Sequence, residues 1–129
     1  MNLIFLSLPE ILAIHQDQIT RYGGDPGIRD IELLKSAIGM PAATYGGMFL
    51  HTDIHEMAAA YLFHLVKNHP FVDGNKRTGS VASLVFLDMN GYRFGASEDD
   101  FAEMVLSVAR GDLDKAETAI FIRRWSTEV

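Results

Sequence analysis

The chain has 129 residues, 48% of them hydrophobic and 22% charged, with a formal net charge of −6 and no cysteine. Its length suits one domain over residues 1–129, and a chain of this size buries roughly two-thirds of its unfolded surface without a covalent staple. The missing thiols exclude disulfides and thiolate metal sites, the acidic balance argues against direct nucleic-acid binding, and no apolar run reaches the length of a membrane span.

The opening "MNLIFLSLPEILAI" is apolar but lacks a basic leader, and Pro9 and Glu10 interrupt it. With the reducing compartment that zero cysteines fit, this gives an expectation of a cytoplasmic protein. "SLPE" is a capping-box signature, Ser7 to Glu10, and predicts a first helix to about Thr20 with Ile11, Leu12, Ile14 and Ile19 on its apolar stripe. "RYGGDPGIRD" is a structured loop, and Asp30 is the expected cap of a second helix, "IELLKSAIGM", closed by Pro41. "PAATYGGMFLHTD" is aperiodic, and Gly46-Gly47 permits a short hairpin or flap there. A third helix starts at Asp53. It is apolar nearly all round, so it is expected at the centre.

A fourth helix starts inside the polar run "NHPFVDGNKRTGS" and stops at Asn90-Gly91. Its small residues Gly79, Ser80, Ala82 and Ser83 would allow close packing on the third. A fifth helix is capped at Ser97 and ended by Gly111, and "DKAETAIFIRRW" makes a sixth. The predicted class is all-α, a compact bundle of about six helices with room for one small β-hairpin flap.

The polar run carries the chemistry. His69-Pro70 ends the third helix, because a residue before proline disfavours the α region. Asp73, Gly74 and Asn75 then fall at the start of the fourth, where free amides and the dipole attract anions. Lys76 and Arg77 add two cations at the end of a helix that prefers acids, which suggests an anion offsetting their repulsion. Phosphate is the obvious candidate. A carboxylate beside it, Asp73, calls for a cation such as Mg2+. His69, four residues before Asp73, supplies an imidazole, a side chain that can take a proton from an attacking hydroxyl. Base, metal ligand and phosphate cradle are the parts of phosphoryl or nucleotidyl transfer.

"HPFVDGNKR" resembles the signature of the Fic/Doc family, H-P-F-x-[D/E]-G-N-G-R-x-x-R. His69, Pro70, Phe71, Asp73, Gly74, Asn75 and Arg77 match it. Lys76 replaces the second glycine and Ser80 the last arginine. Both departures are similar to the death-on-curing toxin branch, as are "RYGGDPGIRD" and the small size. The resemblance implies the Fic fold and a toxin of a type II toxin–antitoxin system. Such a toxin transfers the γ-phosphate of ATP to a hydroxyl of a translation factor, elongation factor Tu. It implies His69 as catalytic base, Asp73 as Mg2+ ligand, Gly74 and Asn75 as phosphate nest, Lys76 and Arg77 as phosphate clamps, and Phe71 as a buried anchor. Lys76 would fill the space that glycine leaves for the usual nucleotide pose. The inhibitory pattern [S/T]-x-x-x-E-[G/N] has no match in the chain, so a separate Phd-like antitoxin, folding on binding, is the implied inhibitor. The alternatives are a Fic-type transferase of AMP and a non-catalytic antitoxin-binding module.

Other features have plainer readings. His51 and His55 form an H-x-x-x-H pair that would suit a metal hydrolase, but a helix start between them favours one flap and one helix histidine. His64 reads as a satisfied core histidine. "YGGMFL" is equally a connection or an edge for a target strand. Glu98 to Asp100 read as a helix cap and dipole complement.

Overall fold

The computed structural model describes residues 2–129. Six α-helices make up most of the described residues: α1 (Leu8–Tyr22), α2 (Ile31–Gly39), α3 (Ile54–Asn68), α4 (Asn75–Met89), α5 (Glu98–Arg110) and α6 (Lys115–Trp125). Their starts follow the side chains that cap them. Ser7 and Glu10 form the expected capping box on α1. Asp30, Asp53, Ser97 and Asp114 accept from first-turn amides of α2, α3, α5 and α6.

α3 is the central helix. Ala58, Ala59, Ala60, Tyr61, Leu62 and Leu65 are fully buried, and they meet the other helices on several sides. α4 lies closely along it. A Cβ at Gly79 would come within 3.1 Å of Val66 Cγ2 and 3.2 Å of the Leu62 carbonyl, so only glycine lets the two helices approach this far. Ile11, Leu34, Phe71, Phe86 and Ile122 complete the main core, and α5 adds Met104, Val105 and Val108 over Leu62 and Val66. The Tyr61 hydroxyl accepts from the Leu6 amide at 2.8 Å, and burial pushes its pKa up to about 12.

Among the described residues there are two small antiparallel strand pairs. β1 (Thr44–Tyr45) and β2 (Met48–Phe49) form the hairpin that the glycine pair permits, with Gly46 and Gly47 at φ 59° and 81°. Both turn residues are left-handed, as a two-residue hairpin of matching twist requires. The hairpin does not cover the polar run. Phe49 packs on Phe5, and Phe5 stacks on Phe86. Phe86 is eleven residues along α4 from Asn75, about 16 Å of rise.

The second pair, β3 (Tyr92–Phe94) with β4 (Ser126–Glu128), is absent from the sequence reading. It joins segments on either side of α5 and α6. Each strand has three residues, too few to show a period.

Candidate active site

The polar run spans the junction between α3 and α4. His69 is exposed and caps the end of α3 in the left-handed conformation, φ 50° and ψ 53°. Among the described residues it is the one non-glycine with positive φ. Histidine is enriched among residues that tolerate this region, and such outliers concentrate at functional sites.

The loop at 23–30 holds this junction. Arg29 forks onto the end of α3, its Nε donating to the His69 carbonyl at 2.6 Å and a terminal nitrogen to the Asn68 carbonyl at 2.9 Å. The amides of Arg29 and Asp30 both donate to the Pro70 carbonyl, and that of Val72 donates to Gly27. The Asp25 amide donates to Asp73 Oδ2 at 2.7 Å, which fixes the carboxylate and leaves its second oxygen with no described partner.

α1 supplies a third support. His15 is buried and lies flat on Phe71, ring centroids 3.7 Å apart and planes 6° from parallel. Its Nε2 donates to the Asp73 carbonyl at 2.8 Å, which places a proton on that nitrogen.

α4 begins at Gly74, φ 80° and ψ 17°, with no side chain capping it. The amides of Asn75, Lys76 and Arg77 have no hydrogen-bond partner among the described residues. Together with the helix dipole they form an anion-seeking surface. Gly74 is required twice over, by its φ and because a Cβ there would press Ile19 Cδ1 at 3.3 Å.

Asp73, Gly74 and Lys76 lie at this helix start, with His69 five residues before Gly74 at the end of α3, and two predicted groups turn elsewhere. The Asn75 side chain is buried and braces the loop, Oδ1 accepting from the Phe71 amide and Nδ2 donating to the Phe71 carbonyl, both at 2.9 Å. Its contribution to the nest is its backbone amide. Arg77 donates to the carbonyls of Gln18 and Gly23 at the end of α1 and lies 5.7 Å from the Tyr22 ring. That carboxyl-terminal end is negative, so Arg77 is satisfied without an external anion. The expected repulsion therefore reduces to Lys76, which is exposed and has no described ion pair. Ser80 donates back to the Lys76 carbonyl at 2.7 Å and does not stand in for the family arginine.

Sequence reasoning missed His15, Asp25 and Arg29. His15 had a visible signal: a polar residue at four-residue spacing between Ile11 and Ile19 on a buried stripe. His51 and His55 do not converge. His51 lies buried after the hairpin, while His55 meets Tyr92 edge-on. Among the described residues no cluster of three or more His, Asp or Glu could hold a metal.

A cavity of about 500 Å3 opens beside the α4 start, between α1, α4 and α5, and is lined by Tyr22, Lys76, Arg77, Phe101, Val105 and Leu106. Among the described residues no helix is long and apolar enough to cross a membrane.

A left-handed histidine thus lies one helix junction away from an uncapped, glycine-led helix start. The model of the Fic/DOC family matches residues 5–87, and the chain belongs to that family. Its relatives place it more closely. It is 34% identical over 119 residues to "Protein kinase doc" of Escherichia phage P1, covering 92% of this chain and 93% of that protein. It is 41% identical over 95 residues to "Toxin Doc" of Mycolicibacterium smegmatis, covering 72% and 73%. Both relatives bear the Doc name, the branch that Lys76 resembles.

Proposed function

We propose that the chain is a Doc-like toxin kinase, which transfers the γ-phosphate of ATP to a hydroxyl side chain of a protein. The observation that supports this best is the uncapped α4 start at left-handed Gly74, flanked by the free cation Lys76 and the fixed carboxylate Asp73. In this reading His69 takes the proton of the attacking hydroxyl. The hydroxyl oxygen bonds to the γ-phosphorus as the bond to the β–γ bridging oxygen breaks, and ADP leaves. The amides of Asn75 and Lys76 and the Lys76 side chain hold phosphate oxygens, as backbone and lysine do in other phosphoryl transfers. Arg77 acts by fixing α1 to α4. Asp73 fits a Mg2+ ligand, because one of its oxygens is fixed and the other free; the ion would neutralise phosphate charge.

The relative's kinase name supports phosphate transfer over AMP transfer. The resemblance supplies the rest: elongation factor Tu as substrate, arrested translation in the cytoplasm, and a Phd-like antitoxin. An antitoxin segment that folds on binding would suit the cavity beside α5, where apolar residues repeat at helical spacing. Mass spectrometry of elongation factor Tu incubated with the protein, ATP and Mg2+ tests the reading. A single phosphate adduct, lost in His69→Ala, is expected. An AMP adduct, or no adduct on any protein of a bacterial extract, would overturn it.

A further inference from the structure

A second cavity lies on the flank of the bundle, between the base of the hairpin, α3 and α6, with no residue of the 69–77 run on its lining. It holds about 540 Å3, a usual size for a small-ligand site. Met40, Leu50, Ala116, Ala119 and Ile120 give it apolar walls. Leu50 and Ile120 stay 54% and 62% exposed there.

Two nitrogen groups on the lining lack counterparts. His51 is only 7% exposed; its ring lies near the Met40 backbone, but its Nδ1 makes no hydrogen bond of good geometry. Lys115 is half-buried and forms no ion pair among the described residues. Its Nζ lies 3.1 Å from His64 Nε2, which leaves two of its hydrogens free. Burial lowers the pKa of His51 and takes that of His64 to about 4, so both rings are neutral at pH 7; it lowers that of Lys115 too, a cost that a bound carboxylate would offset. Lys115 also opens α6, where the dipole disfavours it.

The neighbouring carboxylates do not serve it. Asp114 and Glu117 are exposed and fold back onto the backbone as a capping box. Glu56, the carboxylate on the lining, accepts from the Thr52 amide and hydroxyl and lies 3.9 Å from Arg123. Arg123 itself is bonded to Asp53 at 2.6 Å. One cation is left over, against an apolar wall.

We propose that this cavity binds a small apolar carboxylic acid, its carboxylate held by Lys115 Nζ and His51 and its hydrocarbon body lying against Leu50 and Ile120. One negative charge matches one uncompensated cation. A phosphate dianion would set excess charge beside Glu56 and leave the apolar walls unused. The site shares no residue with the phosphoryl chemistry proposed at 69–77.

The test is two-dimensional amide NMR of the purified chain titrated with sodium octanoate, with octanol and sodium phosphate as controls. Saturable shifts are expected at Leu50, His51, Lys115 and Ile120. Octanol should bind at least about tenfold more weakly, since the charged hydrogen bond it lacks exceeds the free energy of one decade; phosphate, with no hydrocarbon to lie against Leu50 and Ile120, should also bind at least about tenfold more weakly. Lys115→Met should weaken octanoate by about the same factor, and Lys115→Arg should restore it. Ile120→Glu provides a second, exposed variant, with loss expected from repulsion, and melting curves verify that each variant is folded. Shifts that never saturate, shifts centred on residues 69–77, equal binding of octanol, or full affinity in Lys115→Met would each overturn the proposal.

Discussion

Replacing Asn75 with alanine separates two roles that its position allows. The side chain makes two hydrogen bonds to Phe71, at 2.9 Å each, in a place where Phe71 is fully buried and Asn75 only 5% exposed. Asn75→Ala strands one buried N–H and one buried C=O, and each orphan costs about 1–3 kcal/mol. Partial relaxation toward water trims the sum, and the expected loss is about 3 kcal/mol. Urea unfolding followed by circular dichroism measures it as a lower midpoint at unchanged slope. Asn75→Asp keeps the acceptor but turns a carboxylate toward the Phe71 carbonyl, so it should be no better than alanine. If Asn75→Ala unfolds within about 0.5 kcal/mol of the parent while ATP affinity collapses, the side chain serves the nucleotide and the bracing role assigned to it is wrong.

Three further outcomes follow from the site and its surroundings. His69→Ala should abolish transfer with little loss of stability, since the ring is exposed; a variant still toxic in growing cells would remove His69 as base. Asp73→Ala should erase the Mg2+ dependence of ATP binding in calorimetry, and equal parent affinity with and without the ion would contradict the metal role. His64 has a folded pKa near 4 against an ordinary 6.5, chiefly from burial. The unfolded chain therefore binds the extra proton between those values, and stability from this residue is present above pH 6.5 and lost as pH falls toward 4. Thermal melts across that window should flatten in His64→Gln relative to the parent.

Caps and periodicity made the six helices readable. Ser7, Asp30, Asp53 and Ser97 each announced a start, and the fully apolar stretch around Tyr61 announced the centre. The β3–β4 ribbon was illegible because its strands are short and far apart in the chain. Within the site, residue types and order were legible at His69, Asp73 and Gly74, since proline, glycine and helix polarity act locally. The duties of Asn75 and Arg77 were not. Both depend on carbonyls and amides brought close by tertiary packing, Phe71 in one case and Gln18 with Gly23 in the other. Arg29 was hidden for the same reason, its targets lying about forty residues away.

The turn at Gly46-Gly47 has a practical consequence. A Cβ at either glycine would meet nothing within 4 Å, and Tyr45 and Met48 on either side are 82% and 74% exposed. Chain inserted between the two glycines would extend into solvent, at the end of the bundle remote from His69. Opening so small a loop costs little entropy, which grows only with the logarithm of its length. The turn is therefore a port through which an epitope, a fluorophore or a surface tether can be attached internally, leaving both the junction at 69–77 and the two chain ends as they are.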